Sequence, residues 1–343
     1  MAHDSRRRGF MWNGTLALAL ALGAGAGSSA AAEVSEIRIA QQPGLTYLPF
    51  ILLEANRLVE KHAKAAGLGD VKVTWFRFSG GNVMNDALLS GNLDIANSGP
   101  PAFLTLWARA KGTLAVKGIA AYNSLPLHLN TRNPAVKSIR DLTDKDRIAV
   151  PAVRASMQAM LLQMEAEKVF GPGQHGRLDA FTVSRGHADA MAQLFQEGSE
   201  INAHFAAPPF SALELARPGI RTILTAEDVL GAPATVGLAY TTARFHDQNP
   251  KAYAAFFSAL REAIEFIRTN RREAADIFVK TTKVKSTVDE IVAQLSEPKT
   301  EFGLTPQGML KFAHFLHRTG QIKERPETWQ ELFFPAIHSA PGS

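Results

Sequence analysis

The sequence predicts an α/β protein with two lobes, each built on a mostly parallel sheet flanked by helices. Two observations predict this fold class. Strand-like and helix-like segments alternate along most of the chain, and the alternation is interrupted near residues 123–126 and 230–233. The composition agrees, because 46% of the 343 residues are apolar and 20% are charged, as in a globular protein with a sizeable core.

The first part of the chain shows the alternation most clearly. Runs rich in β-branched or alternating apolar residues predict strands at residues 37–40, 71–78, 93–96 and 114–121. Apolar residues at helical spacing predict helices at residues 47–66, from residue 83 onward, and at 102–110. Strand, helix and strand in this order predict a parallel, doubly wound sheet.

The second part repeats the alternation and then becomes helical. Strands are predicted at residues 148–150, 181–183, 202–206, 220–224 and 236–240. Helices are predicted at residues 156–169, 188–195, 208–216, 253–268, 273–280, 288–295 and 306–317.

The two interruptions predict where the chain crosses between the lobes. With a crossing at each of them, residues 124–235 form lobe II. Residues 33–123 and 236–343 then form lobe I. A lobe made of two chain segments stays attached at both crossings, so the connection works as a hinge.

The first 32 residues have the order of a secretory signal peptide. Arginines at positions 6–8 precede an uncharged run of mainly Leu, Ala and Gly at 16–26, and small residues at 30–32 provide a cleavage site near Ala32. The apolar run is too short and too rich in Gly and Ala to favour a retained transmembrane helix. The arginines fit both general secretion and twin-arginine export, and both routes stay open. We therefore expect an exported, soluble mature chain.

The composition also excludes several classes of protein. The sequence has no cysteine, which rules out a disulfide scaffold, a cysteine nucleophile, a thiolate zinc site and a cysteine-linked lipid anchor. The net charge is only +5, with Lys and Arg dispersed, so nucleic-acid binding is not indicated. No G-x-S-x-G, P-loop or H-E-x-x-H motif occurs. We therefore predict no enzyme activity, no catalytic residue, no metal and no cofactor.

Small polar turns between strands and helices are the useful chemical signal. They occur at residues 41–44, 79–82, 97–99 and 154–156. In a parallel α/β sheet such turns meet at the carboxyl ends of the strands, where helix N-termini favour an anion or a polar acceptor. Each turn alone is ordinary helix capping, but together they indicate one cleft.

Several motifs resemble one known family. One matching stretch is FSGGN at 78–82, which leads to Ala87 and Leu88. LSGNLDIA at 89–96 is similar to the family's "L-x-x-G-x-(I/L)-D" signature, and SIRDL at 138–142 followed by RIAVP at 147–151 is similar to its "S-(I/V)-x-D-L-x-G-K-x-(I/V)-(A/G)-V-P" segment. The chain thus resembles periplasmic substrate-binding proteins of ABC importers, in the nitrate, sulfonate and taurine class, over residues 36–318. This resemblance implies the type II periplasmic-binding-protein fold, with the ligand between the lobes.

The resemblance also implies a set of ligand contacts. They are Gln42, Tyr47, Ser79, Gly80, Asn82, Ser98 and Gly99 in lobe I, Asn123 at the hinge, and Arg154, Ser156, His204 and Phe210 in lobe II. The sequence departs from the family at residues 153–156, where the family often has Gly-Ser/Thr-Ser and this chain has Arg154, and at Asn202, where the turn that contains His204 commonly begins with an aspartate. An arginine and a histidine near the pocket favour pairing with an anionic group, whereas Arg154 pointing to solvent is an equally open alternative.

The function that the resemblance implies is delivery of a small, anionic ligand to a membrane permease by a monomeric periplasmic receptor. The ligand is not fixed, since sulfonates, taurine, nitrate, aromatic acids and heterocycles all fit the turns. A receptor that senses a ligand without transport is one alternative, and binding of a pyrimidine precursor of thiamine is another. The related thiamine pyrimidine synthases carry a cysteine-rich motif that this sequence lacks.

Overall fold

The computed structural model describes residues 32–78 and 80–343. Its strands are β1 (Glu36–Gln41), β2 (Lys72–Arg77), β3 (Ala96–Ser98), β4 (Val116–Asn123), β5 (His128–Thr131), β6 (Ile148–Val150), β7 (Thr182–Ser184), β8 (Ala203–Ala206), β9 (Arg221–Thr225) and β10 (Gly237–Thr242). The predicted signal peptide lies outside the described residues, apart from Ala32.

The helices alternate with the strands up to β10 and then follow one another. They are α1 (Leu48–Ala55), α2 (Leu58–Ala65), α3 (Gly81–Leu89), α4 (Pro100–Ala110), α5 (Met157–Phe170), α6 (His187–Phe195), α7 (Phe210–Leu215), α8 (Ala226–Leu230), α9 (Ala243–Gln248), α10 (Pro250–Thr269), α11 (Arg271–Thr282), α12 (Val288–Leu295) and α13 (Met309–Arg318). The α/β class predicted from the sequence is confirmed.

Within the part of the chain that the structure describes, the strands form three sheets. One contains β1 and β2, a second has the order β3-β10-β4, and a third has the order β7-β6-β8-β5-β9. All strands of the third sheet come from residues 128–225, and the strands of the other two come from the chain on either side of that segment. A parallel bridge between Ile39 and Ile95 links β1 to the segment just before β3.

The sheets are mixed rather than mostly parallel. β1 with β2, and β6 with β7 and β8, are parallel, as the alternation predicts. In contrast, β10 runs antiparallel to β3 and β4, and β5 runs antiparallel to β8 and β9. β5 and β10 are the first strands after the two interruptions, where the strand-helix-strand unit that imposes parallel pairing is broken.

Long buried helices cover the sheets. In α10, Tyr253, Phe256, Leu260, Ile264 and Ile267 are buried along one face at helical spacing. Phe50 of α1 packs against Phe256, with ring centroids 6.0 Å apart. The predicted helix 47–66 is two helices, α1 and α2, because Arg57 between them takes a left-handed conformation with φ of 50°.

Helix α13 makes contacts with the segment that carries the third sheet. The guanidinium of Arg318 donates hydrogen bonds of 2.7 Å and 2.5 Å to the carboxylate of Glu167 in α5. Just beyond α13, the amide of Gln321 donates to the side-chain oxygen of Gln163 at 3.1 Å. The C-terminal part of the chain therefore contacts the segment between the two crossings.

Candidate functional site

A cavity of about 370 Å³ lies where the N-terminal ends of five helices meet. α3 and α4 follow β2 and β3, whereas α5 and α6 follow β6 and β7. Each of these helices contributes residues from its N-cap or first turn, and the turn that leads to α1 contributes Gln42, Gly44 and Tyr47. The cavity is therefore at the carboxyl ends of strands, where open α/β sheets bind ligands.

Glycine occupies the N-cap position of three of these helices. Gly80 precedes α3, Gly99 precedes α4 and Gly186 precedes α6, so no N-cap side chain binds the first backbone N–H groups there. Those groups have no acceptor within their own helix. α4 offers fewer of them, because it begins with Pro100 and Pro101, which carry no N–H. The turns before α3 and α6 therefore present N–H donors to the cavity.

A buried hydrogen-bond network holds α3 against α4 beneath the cavity. The hydroxyl of Tyr240 donates to Oδ1 of Asn85 at 2.6 Å, and Ser98 Oγ lies 3.1 Å from the same hydroxyl. Asn85 Nδ2 donates in turn to the carbonyl of Ala102 at 2.9 Å. The close approach requires a glycine, since a Cβ on Gly81 would lie 2.8 Å from Cβ of Ala102.

Two predicted contacts on the α1 side have defined surroundings. The side-chain amide nitrogen of Gln42 donates to the carbonyl of Asn97 at 3.4 Å. The side-chain oxygen of Gln42 is not used in this hydrogen bond and can accept one from another group. Burial raises the pKa of Tyr47, so its phenol is protonated and neutral at physiological pH. Both side chains therefore offer polar groups without a charge.

Ser156 has a structural role at the start of α5. Its Oγ accepts a hydrogen bond from the N–H of Ala159 at 3.2 Å and donates to the carbonyl of Ala152 at 2.8 Å. It is thus the N-cap of α5, and it lines the cavity with a hydroxyl whose hydrogen is already bound.

The cavity brings together much of the set of contacts predicted from the sequence. The predicted residues that line it are Gln42, Tyr47, Gly80, Asn82, Ser98, Gly99 and Ser156. Ser79 lies outside the described residues. Asn123, Arg154, His204 and Phe210 do not line the cavity, and each has a partner that explains its position.

Arg154 and Asn123 are held by other parts of the chain. The Nε of Arg154 lies 2.8 Å from Oδ2 of Asp179, and 70% of the arginine side chain is exposed. Arg154 therefore forms a surface ion pair beside the cavity. Asn123 is the buried last residue of β4, and its amide donates to the carbonyl of Thr46 at 2.5 Å.

His204 and Phe210 lie one layer behind the lining. His204 is fully buried, and its Nε2 is 2.8 Å from Nδ1 of His187, which does line the cavity. The ring of Phe210 stacks on the ring of His187, with centroids 5.6 Å apart and planes at 23°. Both predicted residues thus support a residue of the lining.

His187 is the main residue that the sequence analysis missed. It is the first residue of α6, directly after Gly186, in the same strand-turn-helix context as the turns that were singled out. The sequence RGHAD at 185–189 follows a predicted strand, so the rule applied elsewhere would have identified it. The start of α6 was predicted one residue too late.

The charges at the cavity are few. Arg77 lines it, but its guanidinium is paired with Glu54 at 2.6 Å. Asp189, on the first turn of α6, is exposed at the rim. The positive electrostatic contributions to the cavity therefore come mainly from helix N-termini, and Arg154 is not part of the lining.

Comparison with solved structures decides the fold. SsuA of Xanthomonas axonopodis pv. citri, an alkanesulfonate-binding protein bound to MOPS, superposes with a TM-score of 0.68 over 86% of this chain and 96% of its own, at 17% identity. The periplasmic aliphatic sulphonate binding protein SsuA of Escherichia coli gives 0.63 over 87% and 98%, at 18% identity. This chain has the periplasmic-binding-protein fold.

A nitrate-binding protein shares this fold. NrtA of Synechocystis PCC 6803, a periplasmic protein, superposes with a TM-score of 0.65 over 89% of this chain and 84% of its own, at 16% identity. The resemblance predicted from the sequence motifs is thus confirmed at the level of structure. No protein-family model and no curated protein sequence matches the chain at a significant level. Identities in this range establish the periplasmic-binding-protein fold alone.

Proposed function

We propose that this chain is the extracytoplasmic solute-binding receptor of an ABC importer and that its cavity binds a small anionic ligand of the sulfonate, taurine or nitrate type. The observation that carries the proposal is the convergence of five helix N-termini on one cavity, where α3 and α6 begin with glycine N-caps and present backbone N–H groups. N–H groups at such ends bind negatively charged oxygens without a side-chain cation. The fold, and the ligands of the proteins that share it, agree with this assignment.

The ligand is enclosed by closure of two lobes in this proposal. Lobe I comprises residues 33–123 and 236–343, and lobe II comprises residues 124–235. The cavity supports this division, because α3 and α4 line it from one segment and α5 and α6 from the other. A ligand that contacts both sides shifts the equilibrium to the closed form by its differential affinity for that form.

Delivery to a permease and location in the periplasm complete the proposal. The order of charged, apolar and small residues in the first 32 positions supports export with cleavage near Ala32. Among the described residues, no helix combines the length and the apolar character needed to cross a membrane. We propose that the mature receptor acts as a monomer.

A thermal-shift screen of residues 33–343 tests the function. The panel contains alkyl sulfonates, nitrate, carboxylates, phosphonates and pyrimidines in Tris buffer, which holds no sulfonate. A ligand at 100 times its Kd stabilises the folded form by about 2.7 kcal/mol. We expect a clear shift with one class of anion. A shift confined to pyrimidines contradicts the anionic ligand. No shift from a sample shown by mass spectrometry to be ligand-free contradicts the receptor function.

The substitution Asn82→Asp tests whether the ligand is anionic without lowering the stability of the fold. Asn82 is exposed on the first turn of α3 and lines the cavity, so a carboxylate there repels an anionic ligand. We expect affinity to fall about tenfold, which corresponds to about 1.4 kcal/mol. A negative charge at a helix N-terminus stabilises the helix by roughly 0.3–1 kcal/mol, so the melting temperature of the free protein should not fall.

Asn270→Asp is the matched control. Asn270 is the exposed N-cap of α11 and is outside the cavity lining, so the same chemical change occurs at a helix start without facing the ligand. We expect its affinity to equal that of the wild type in calorimetric titration. Equal affinities for both variants would remove the electrostatic argument.

A further inference from the structure

A row of polar side chains leads from the cavity into the protein interior. Nδ1 of His187 lies 2.8 Å from Nε2 of His204, and Nδ1 of His204 lies 2.5 Å from Oε1 of Glu214. The other carboxyl oxygen of Glu214 accepts a hydrogen bond from Asn130 Nδ2 at 2.9 Å. His204, Glu214 and Asn130 are fully buried, so His187 is the member of the row that lines the cavity.

The geometry leaves one imidazole nitrogen for the cavity. Nδ1 of His187 is occupied by His204, while the partner of Nε2 of His187 within residues 32–78 and 80–343 is the amide nitrogen of Gln158, another lining residue, at a long 3.4 Å. The stacked ring of Phe210 fixes the plane of the imidazole. Nε2 is therefore positioned to bind a ligand atom in the cavity.

The row has two self-consistent proton arrangements. With Glu214 protonated, its O–H donates to His204 Nδ1, His204 Nε2–H donates to His187 Nδ1, and His187 carries its hydrogen on Nε2. With Glu214 ionised, His204 Nδ1–H donates to the carboxylate, His187 Nδ1–H donates to His204 Nε2, and His187 Nε2 has a lone pair. The two states differ by one proton, which enters at His187 Nε2 and ends on Glu214.

We infer that His187 binds the ligand through Nε2 and that Glu214, acting through His204, decides whether this nitrogen donates or accepts a hydrogen bond. His187 is then a specificity-determining contact, and His204 and Glu214 are positioning residues. The inference rests on the proposed ligand-binding function, because it assigns a role in that same cavity. Uptake of one proton makes the cavity a donor toward anionic oxygen, and its loss leaves a lone pair that repels it.

The surroundings favour the donor state at neutral pH. Burial raises the pKa of Glu214 to about 8, lowers that of His204 to about 3, and lowers the pKa of His187. Other titratable groups face both ends of the row. His128 lies near Glu214, and Asp228 and Lys299 lie near His128. At the cavity rim, Asp189 lies beside His187. Burial lowers the pKa of His128, so it is neutral above pH 7.

Glu214→Gln tests the relay. The glutamine amide donates permanently to His204 Nδ1, as protonated Glu214 does, and its oxygen still accepts from Asn130. With ethanesulfonate as the probe, wild-type affinity at pH 6.5 should exceed that at pH 9.5 by about tenfold or more, because the proton is lost as the pH rises above about 8. In Glu214→Gln the ratio should be close to one. Equal ratios in the two proteins overturn the relay.

His187→Phe tests the ligand contact. Phenylalanine keeps an aromatic ring to stack on Phe210 but removes both ring nitrogens. We expect ethanesulfonate to bind about tenfold more weakly at pH 7, as for a lost hydrogen bond to a charged group, and the pH dependence to disappear. Unchanged affinity overturns the contact.

A ligand-free measurement separates this inference from the proposed function. The ¹⁵N shifts of His187 report which ring nitrogen carries hydrogen. At pH 9.5 we expect Nδ1–H in the wild type and Nε2–H in Glu214→Gln. If this difference appears but no anion binds, the relay stands and the ligand class is wrong. If anions bind and the difference is missing, the relay is overturned and the receptor function stands.

Discussion

Replacing Gly81 by Ala is expected to disturb the cavity and the fold together. An added Cβ would lie 2.8 Å from Cβ of Ala102 and 2.9 Å from Cβ of Ser98, closer than real Cβ atoms approach. α3 must therefore move away from α4, which strains the contact and shifts the N–H groups that face the cavity. We expect the free energy of unfolding to fall by about 1–3 kcal/mol, as overpacking typically costs, and ligand affinity to fall by at least about tenfold.

Gly80→Ala is the neighbouring control. Gly80 also lines the cavity, but no described atom lies within 4 Å of the position that its Cβ would take, and its extended backbone (φ of −174°) suits any residue. We expect urea denaturation to give a free energy of unfolding close to that of the wild type. If Gly81→Ala were as stable as Gly80→Ala, the packing of α3 on α4 would not be as close as the structure shows.

Replacing Asp146 by Asn is expected to destabilise the third sheet. The buried carboxylate accepts hydrogen bonds from Asn133 Nδ2 at 2.8 Å, Asn202 Nδ2 at 2.9 Å and the N–H of Thr143 at 2.8 Å, and so joins the ends of β5, β6 and β8. An amide in its place turns an NH₂ toward one of these donors. A buried donor without an acceptor costs about 1–3 kcal/mol, so chemical denaturation should show a loss of that size.

The pH dependence of this effect has a definite sign. Burial alone would raise the pKa of Asp146, but hydrogen bonds from Thr143, Asn133 and Asn202 outweigh it and hold the pKa below its usual value. The carboxylate thus contributes stability above about pH 4, which is lost as the pH falls below that value. Asp144→Asn, in the same turn but exposed, should leave stability unchanged. Equal stabilities for the two variants would contradict the role of Asp146.

The fold was largely predictable because the spacing of apolar residues along the sequence distinguishes strands from helices. The short helices α8 and α9 and the strand β5 were missed. The sequence of β5, HLNT, contains Asn130, a polar residue that is fully buried because it donates to Glu214 and accepts from Thr222. The mixed pairing of β5 and β10 was also missed. Periodicity identifies strands, whereas strand direction depends on where the chain crosses between sheets.

The part of the candidate site that consists of backbone groups at helix N-termini was predictable. Turns of Gly, Ser and Asn before helices mark helix N-termini in any sequence, and these turns do line the cavity. Side-chain direction was not predictable. Arg154 and His204 are near lining residues in the sequence, but neither side chain lines the cavity. Asp179 holds Arg154 at the surface, whereas Glu214 and His187 hold His204 in the interior. These partners are distant in sequence or separated by a turn whose shape the sequence does not specify.

A crystal structure of residues 33–343 with the anion that gives the largest thermal shift would show where the ligand binds. We expect the anionic oxygens to lie within about 3.2 Å of backbone nitrogens in the first turns of α3 and α6, between residues of the two proposed lobes. Density for the anion elsewhere, such as beside Lys299 and Leu125 in the separate apolar pocket near the chain crossings, would contradict the proposed binding site.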